Sequence, residues 1–142
     1  MSDLHLLDPR LEADTLPLGE TSLCHLRMSL DSRWPWILLI PKREGASELH
    51  DLSPDDLRTL IAEISTVSDS LKASTQCLKI NVAALGNVVR QLHVHIVARE
   101  EVDAAWPGPI WGFGSAERRS DSSLPDFALA VQQALGVHQT VG

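Results

Sequence analysis

Apolar and polar positions change rhythm several times along the chain, and each rhythm predicts an element. In LCHLRMSL (23–30), Cys24, Leu26, Met28 and Leu30 alternate with His25, Arg27 and Ser29, the period-two pattern of a half-buried strand. DSRWP then supplies a turn. WILLI (36–40) is an unbroken apolar run ended by Pro41, which predicts a central strand pairing antiparallel with the one before it. From about Pro54 to Ala73 the period lengthens. Leu57, Leu60, Ile61, Ile64, Val67 and Leu71 recur at helical spacing and form one apolar stripe, read as a core-facing side. Ser53 is a good N-cap, Pro54 suits the first helical position, and Asp55 and Asp56 sit at the positive end of the helix dipole.

CLKINVAA (77–84) predicts another strand, LGN (85–87) a turn, and VRQLHVHIVAR (89–99) the returning strand. Residues 1–20 contain Pro9, Pro17 and Gly19 and read as a loop-rich lead-in with room for a short helix. DAAWPGPIWGFG (103–114) holds two prolines and three glycines, so an ordered loop is expected; residues 115–123 are polar and serine-rich and are expected to be mobile. Phe127, Val131 and Leu135 predict a short closing helix over Pro125–Leu135. No internal repeat or low-complexity tract is present. The expectation is one domain over 1–142, with a motif-bearing core at about 23–112 and a C-terminal extension at 115–142. A long helix against a mainly antiparallel sheet places it in the α+β class.

Composition narrows the partners. A chain of 142 residues with 44% hydrophobic content can build a real core, and its formal charge of −7 disfavours nonspecific binding to nucleic acid or to an anionic membrane. A small phosphate ligand remains compatible, because a few local donors can hold it. The N-terminus MSDLHLLDPRLEAD lacks the long apolar run of a signal peptide, and WPWILLIP is far too short to span a bilayer. Cys24 and Cys77 have no CxxC spacing and read as reduced, buried thiols. A soluble cytoplasmic protein is expected.

The chemistry concentrates in RQLHVHIVAR (90–99). On a strand, Gln91, His93, His95 and Val97 share one face while Leu92, Val94 and Ile96 share the other. The second set is wholly apolar and is expected to meet the long helix. The first set then faces a cleft or solvent, bracketed by Arg90 and Arg99. Three readings follow. The histidines can decorate a polar sheet face. They can supply two metal ligands, although His5, His25, His50, His138, the cysteines and scattered carboxylates form no recognisable ligand cluster, so no metal ligand is assigned. Or a neutral imidazole can attack phosphorus through one ring nitrogen while an acceptor holds the other, with same-face neighbours donating to the phosphoryl oxygens.

QLHVHIV resembles the histidine triad motif, HφHφHφφ with φ apolar, in which Gln91 stands in place of the first histidine. The preceding INVAALGNVV, the IPK strand end, the DLSPDD helix start and the Trp-Pro segment after the motif are similar to that family as well. The similarity covers about residues 23–112. QLHVH together with WPGPIWG most resembles a bacterial branch described as diadenosine polyphosphate hydrolase-like.

The resemblance implies that His93 is the nucleophile, attacking a nucleotide α-phosphate to give a nucleotidyl-histidine that water hydrolyses. It implies that His95 bonds phosphoryl oxygens or the leaving group, and that Gln91 keeps a supporting role. An amide donates and accepts hydrogen bonds but carries no charge, so a proton relay at 91 is not expected. Asn81 falls near the family's ribose or phosphate contacts. Asn87 matches a turn residue reaching the phosphate, and equally suits a plain turn after Gly86. Asp31 matches a ribose contact, and equally a turn former before SRWP. Trp106 and Trp111 stand where the base or leaving group would be covered, or where packing anchors sit. Arg99 offsets phosphate charge or simply ends a solvated strand. The family also implies a homodimer, no metal for the nucleophile, and magnesium accompanying a polyphosphate substrate. The function implied is dinucleoside polyphosphate hydrolysis, with nucleoside phosphoramidate hydrolysis or nucleotide binding without turnover as alternatives.

Overall fold

The computed structural model describes residues 5–121 and 123–138. Asp8 caps the first helix, α1 (Pro9–Asp14), by accepting from the Arg10 amide at 2.8 Å, and Thr15 turns the chain directly into β1 (Thr15–Glu20). The expected loop-rich lead-in therefore carries a strand. Pro17 is tolerated because β1 is a sheet edge, and the register slips between Pro17 and Gly19. Gly19 has φ +136°, and a Cβ there would lie 2.8 Å from the His138 carbonyl oxygen, so glycine is needed twice over.

β2 (Cys24–Ser29) and β3 (Trp36–Pro41) pair antiparallel as expected, followed by a 3-10 turn at Leu49–Asp51, α2 (Pro54–Thr75), β4 (Lys79–Ala83), β5 (Val94–Arg99) and α3 (Asp126–Leu135). The sheet order is β1-β2-β3-β5-β4, with every neighbouring pair antiparallel. This is the α+β architecture that the sequence predicts. β2 is more deeply covered than its alternation suggests. Arg27 and Ser29 are both buried, and the Arg27 guanidinium donates to the Thr15 carbonyl at 3.1 Å.

α2 begins as its sequence dictates, with the Ser53 hydroxyl accepting from the Asp56 amide at 3.1 Å, and ends at Gln76 in the left-handed region, φ 58°. Leu60, Val67 and Leu71 are fully buried, and Leu57 and Ile64 partly so. Ile61, expected in the same stripe, is instead exposed at the stripe's margin. Buried Glu63 accepts from the Thr21 hydroxyl at 2.7 Å, tying α2 to the β1–β2 connection. One sheet face, including Leu26, Ile37, Leu39, Val94 and Ile96, packs with these helix residues and with Phe127 and Val131 of α3 in a single core. The opposite face is covered by α1 and by loops. Leu11 and Val89 meet Leu38 and Ile40, and Ile110 meets Trp34 and Val97.

Within the segment expected to be mobile, residues 117–119 are hydrogen-bonded to the β2–β3 connection. The Ser32 amide donates to the Glu117 carbonyl at 2.7 Å and the Arg119 amide to the Leu30 carbonyl at 2.8 Å. Cys24 and Cys77 are free and buried. No helix of the described residues is long and apolar enough to cross a membrane.

Candidate active site

β5 lies between β3 and β4, and His95 pairs with Leu38 of β3. His95 therefore projects on the face shared with Trp36 and Leu38, while Val94 and Ile96 enter the core with α2. The expected division of faces holds for His95 and Val97 against Val94 and Ile96, but Gln91 lies before the strand and turns toward Leu6 and Asp8. The ladder itself starts at Val94, so His93 sits immediately before the strand.

That position fixes its protonation pattern. His93 Nδ1 is 2.6 Å from the Gln91 carbonyl oxygen. A carbonyl only accepts, so Nδ1 carries the hydrogen, and in the neutral form of the ring Nε2 holds the lone pair. His95 is held the other way round. The Trp36 indole N–H donates to His95 Nδ1 at 3.0 Å, which leaves the His95 hydrogen on Nε2. Burial, reinforced by nearby His93, pushes His95 down to about 3, so the ring is neutral. The two rings stand edge to face with centroids 4.8 Å apart. His93 Nε2 and the His95 N–H are thus set side by side, with the His95 ring uncharged.

Both histidines line a cleft of about 380 Å³ together with Asp14, Ser29, Trp36, Asn87 and Trp111. That size suits a small ligand. His93 also borders a second opening of about 240 Å³, lined by Ser47, Glu48, His50, Leu85 and Gly86 among others. Neither opening has a lysine or arginine among its described lining residues. Trp111 approaches His95 at 5.4 Å between ring centroids, and its buried indole N–H has no protein partner. A hollow of about 170 Å³ past Asp14, Ser29 and Trp36 extends the main cleft toward Asp31.

The other residues singled out in the sequence divide. Asn87 borders the main cleft. Asp31 borders only the extension, where Arg33 contacts both carboxylate oxygens and the Glu117 amide donates to Oδ1. Burial alone would raise the Asp31 carboxyl, but these bonds outweigh it and hold the group below its ordinary range. Arg99 is neither a solvated strand end nor a free cation for phosphate. It is 2% exposed and donates to Asp103 at 2.7 Å, to Asn81 Oδ1 at 2.8 Å and to the Gly108 carbonyl at 2.8 Å. Asn81 is thereby turned toward Arg99. Trp106 covers the same guanidinium at 5.6 Å, and Trp111 is the tryptophan that faces the cleft. Gln91 reaches away from the cleft, accepting from the Asp8 amide and donating to the Leu6 carbonyl, both at 2.8 Å.

Asp14, Ser29 and Trp36 were not singled out from the sequence. For Trp36 a signal existed: in WILLI it alternates with Ile37, and antiparallel pairing with the histidine strand puts it on the His95 face. Among the described residues no group of three His, Cys, Asp or Glu side chains converges to hold a metal ion.

The architecture and the histidine pair define a class in which a neutral imidazole is presented at a ligand-sized cleft on an α+β scaffold. Comparison places it within that class. Residues 10–102 match the HIT domain family, and the chain belongs to the histidine triad family, whose members are generally nucleotide-binding hydrolases or transferases. It is similar to a histidine triad protein from Bradyrhizobium japonicum at 42% identity and TM-score 0.87, covering 92% of this chain and 97% of that one. A histidine triad protein from Sinorhizobium meliloti 1021 gives 44% identity and TM-score 0.85 over 93% of this chain and 98% of the other. One from Marinobacter aquaeolei VT8 gives 36% and 0.88, over 93% and 96%. No curated protein matches the chain.

Proposed function

We propose that this protein hydrolyses a nucleotide at its α-phosphate through a covalent intermediate on His93, with a dinucleoside polyphosphate as substrate. The observation that carries the reading is the 2.6 Å contact between His93 Nδ1 and the Gln91 carbonyl, which reserves Nε2 as the nucleophilic nitrogen. Nε2 attacks the α-phosphorus. The N–P bond forms as the bond to the leaving group breaks, and the ring becomes cationic with its Nδ1–H already directed at a carbonyl dipole. The His95 Nε2–H donates to a phosphoryl oxygen as negative charge gathers there. Water then attacks the same phosphorus and releases a proton to solvent, the N–P bond breaks with its electron pair returning to Nε2, and a nucleoside monophosphate leaves.

The neutral state of His95 supports an anhydride substrate. A ring held neutral by burial and by the Trp36 N–H is a hydrogen-bond donor and no strong acid, so the favoured leaving group departs as a stable anion without taking a proton. Magnesium would enter with a polyphosphate substrate and offset its charge, since neither opening has a lysine or arginine among its described lining residues and Arg118 borders only the extension. A second reading, phosphoramidate hydrolysis, is favoured by the 240 Å³ opening, whose Glu48 and cation-free lining suit a departing amine. The assembly we propose is a homodimer; the unpaired outer edge of β4 supports it, because such an edge is a ready template for pairing.

The deciding experiment offers the protein a diadenosine polyphosphate with magnesium, and separately an adenosine phosphoramidate. Alkaline denaturing quench, which preserves the acid-labile N–P bond, and peptide mapping should find a nucleotidyl group on His93, and His93→Ala should abolish turnover. Binding of both compounds without turnover would refute the enzymatic reading. Faster turnover of the phosphoramidate would replace the first substrate class with the second.

A further inference from the structure

Gln91 occupies the motif position of an imidazole, yet its side chain leads to two imidazoles from the other end of the chain. Gln91 Nε2 is 2.8 Å from the Leu6 carbonyl and 3.3 Å from His5 Nε2. His5 Nδ1 is 3.1 Å from His25 Nε2, and His25 Nδ1 faces Glu20 Oε1 at 3.6 Å.

The ends of this chain of contacts fix its direction. The Asp8 amide can only donate, so the Gln91 atom it meets is the oxygen and the other is the NH₂ group. One NH₂ hydrogen goes to the Leu6 carbonyl. The other points at His5 Nε2, which must hold a lone pair. Neutral His5 then carries its hydrogen on Nδ1 and donates to His25 Nε2, and His25 turns its own Nδ1–H toward Glu20. Every lone pair facing into the chain already accepts a hydrogen bond.

We propose that His5 and His25 are positioning residues that orient the Gln91 amide and, through the residue 91 carbonyl, hold His93 with its hydrogen on Nδ1 and its lone pair on Nε2. This rests on the reading of His93 Nε2 as nucleophile. The N-terminal segment returns by a backbone route the imidazole support that the motif lacks at position 91.

The arrangement is sensitive to added protons. A proton on His5 Nε2 confronts the Gln91 NH₂; one on His25 Nε2 confronts the His5 Nδ1–H. Reversing both tautomers and flipping the amide would set the Gln91 oxygen against the Leu6 carbonyl and its NH₂ against the Asp8 N–H. The charges facing the pair oppose one another. The Arg43 backbone, Glu44 and Glu20 on β1 favour the added proton, while Lys42, 3.2 Å from Glu20, and the Arg43 guanidinium disfavour it. Burial is the largest influence and lowers both rings from the ordinary histidine value. Activity should therefore fall on the acid side as the pair protonates.

The test compares the full-length protein with His5→Ala, His5→Gln and His93→Ala, by nitrogen-15 imidazole spectra of His93 without nucleotide and by the pH profile of nucleotide hydrolysis. In the unsubstituted protein His93 should carry its hydrogen on Nδ1. His5→Ala should shift His93 toward a mixture of tautomers and lower kcat about tenfold with KM within about threefold. His5→Gln offers Oε1 to the Gln91 NH₂ where Nε2 was, and should keep kcat within about threefold with the His93 hydrogen still on Nδ1. An unchanged His93 tautomer in His5→Ala, or a mixture of His93 tautomers in His5→Gln, overturns the proposal. Full activity in His93→Ala would sink the nucleophile assignment instead, and the spectra would still decide the positioning role.

Discussion

Trp36 and His95 lie on neighbouring strands with the indole N–H 3.0 Å from imidazole Nδ1, so a residue outside the motif decides which nitrogen of a motif histidine carries hydrogen. Trp36→Phe keeps the ring and removes the donor. Leaving a buried acceptor unpaired costs about 1–3 kcal/mol, readable as a lower urea midpoint. The freed ring can place its hydrogen on either nitrogen, and kcat for a nucleotide substrate should fall about tenfold.

The same ring makes stability depend on pH. The unfolded chain protonates residue 95 near 6.5, whereas the folded protein resists until about 3. Above 6.5 both states are neutral there and the contribution is constant. As pH falls below that value the unfolded state takes the proton first, so stability declines, levelling off near 3. Within the window the slope is about 1.4 kcal/mol per pH unit for this one group. Urea unfolding at a series of pH values should show that component, and His95→Gln should remove it.

Arg99 and Asp103 form a buried ion pair beneath Trp106. Burial alone would raise the Asp103 carboxyl, but Arg99 and the amides of Glu100 and Ala105 hold it well below the usual carboxylate range. Asp103→Ala strands the guanidinium and should cost about 3–5 kcal/mol. Replacing both residues with leucine should cost less than the two single replacements summed, measured as a double-mutant cycle in urea.

Trp111, and not Trp106, should contact the ligand. Trp111→Ala is expected to weaken nucleotide binding by about 1–3 kcal/mol in calorimetry, the usual worth of a base stacked on an aromatic ring. Trp106→Ala should lower thermal stability with nucleotide affinity changed less than about twofold, since its partner is Arg99.

The legible parts were those set by periodicity. WILLI, the Pro54 helix with its Ser53 cap, and the two faces of the histidine strand all follow from one-dimensional patterns. β1 was hidden because Pro17 and Gly19 are loop signals unless the strand is known to be an edge with a slipped register. Arg99 was hidden for another reason. Its partner Asp103 lies beyond the strand, in a loop whose course the sequence does not reveal, so a buried cation looked like a surface one. The candidate cleft was legible at His93 and His95 because their alternate spacing brings both to one opening. Asp14 and Ser29 reach it only through strand pairing and chain crossing, which no local pattern encodes. The separation of 86 positions between His5 and Gln91 hid that contact in the same way.

His93 is a wall common to two openings, and that gives the proposed reaction separate doors. A nucleoside held beside Trp36 and Trp111 can stay seated while the severed fragment departs past Ser47 and Glu48. Water can arrive along the route just vacated. The two half-reactions can then follow one another with neither the adduct nor the backbone having to swing aside, and the first product's exit is itself the entrance for the second reactant.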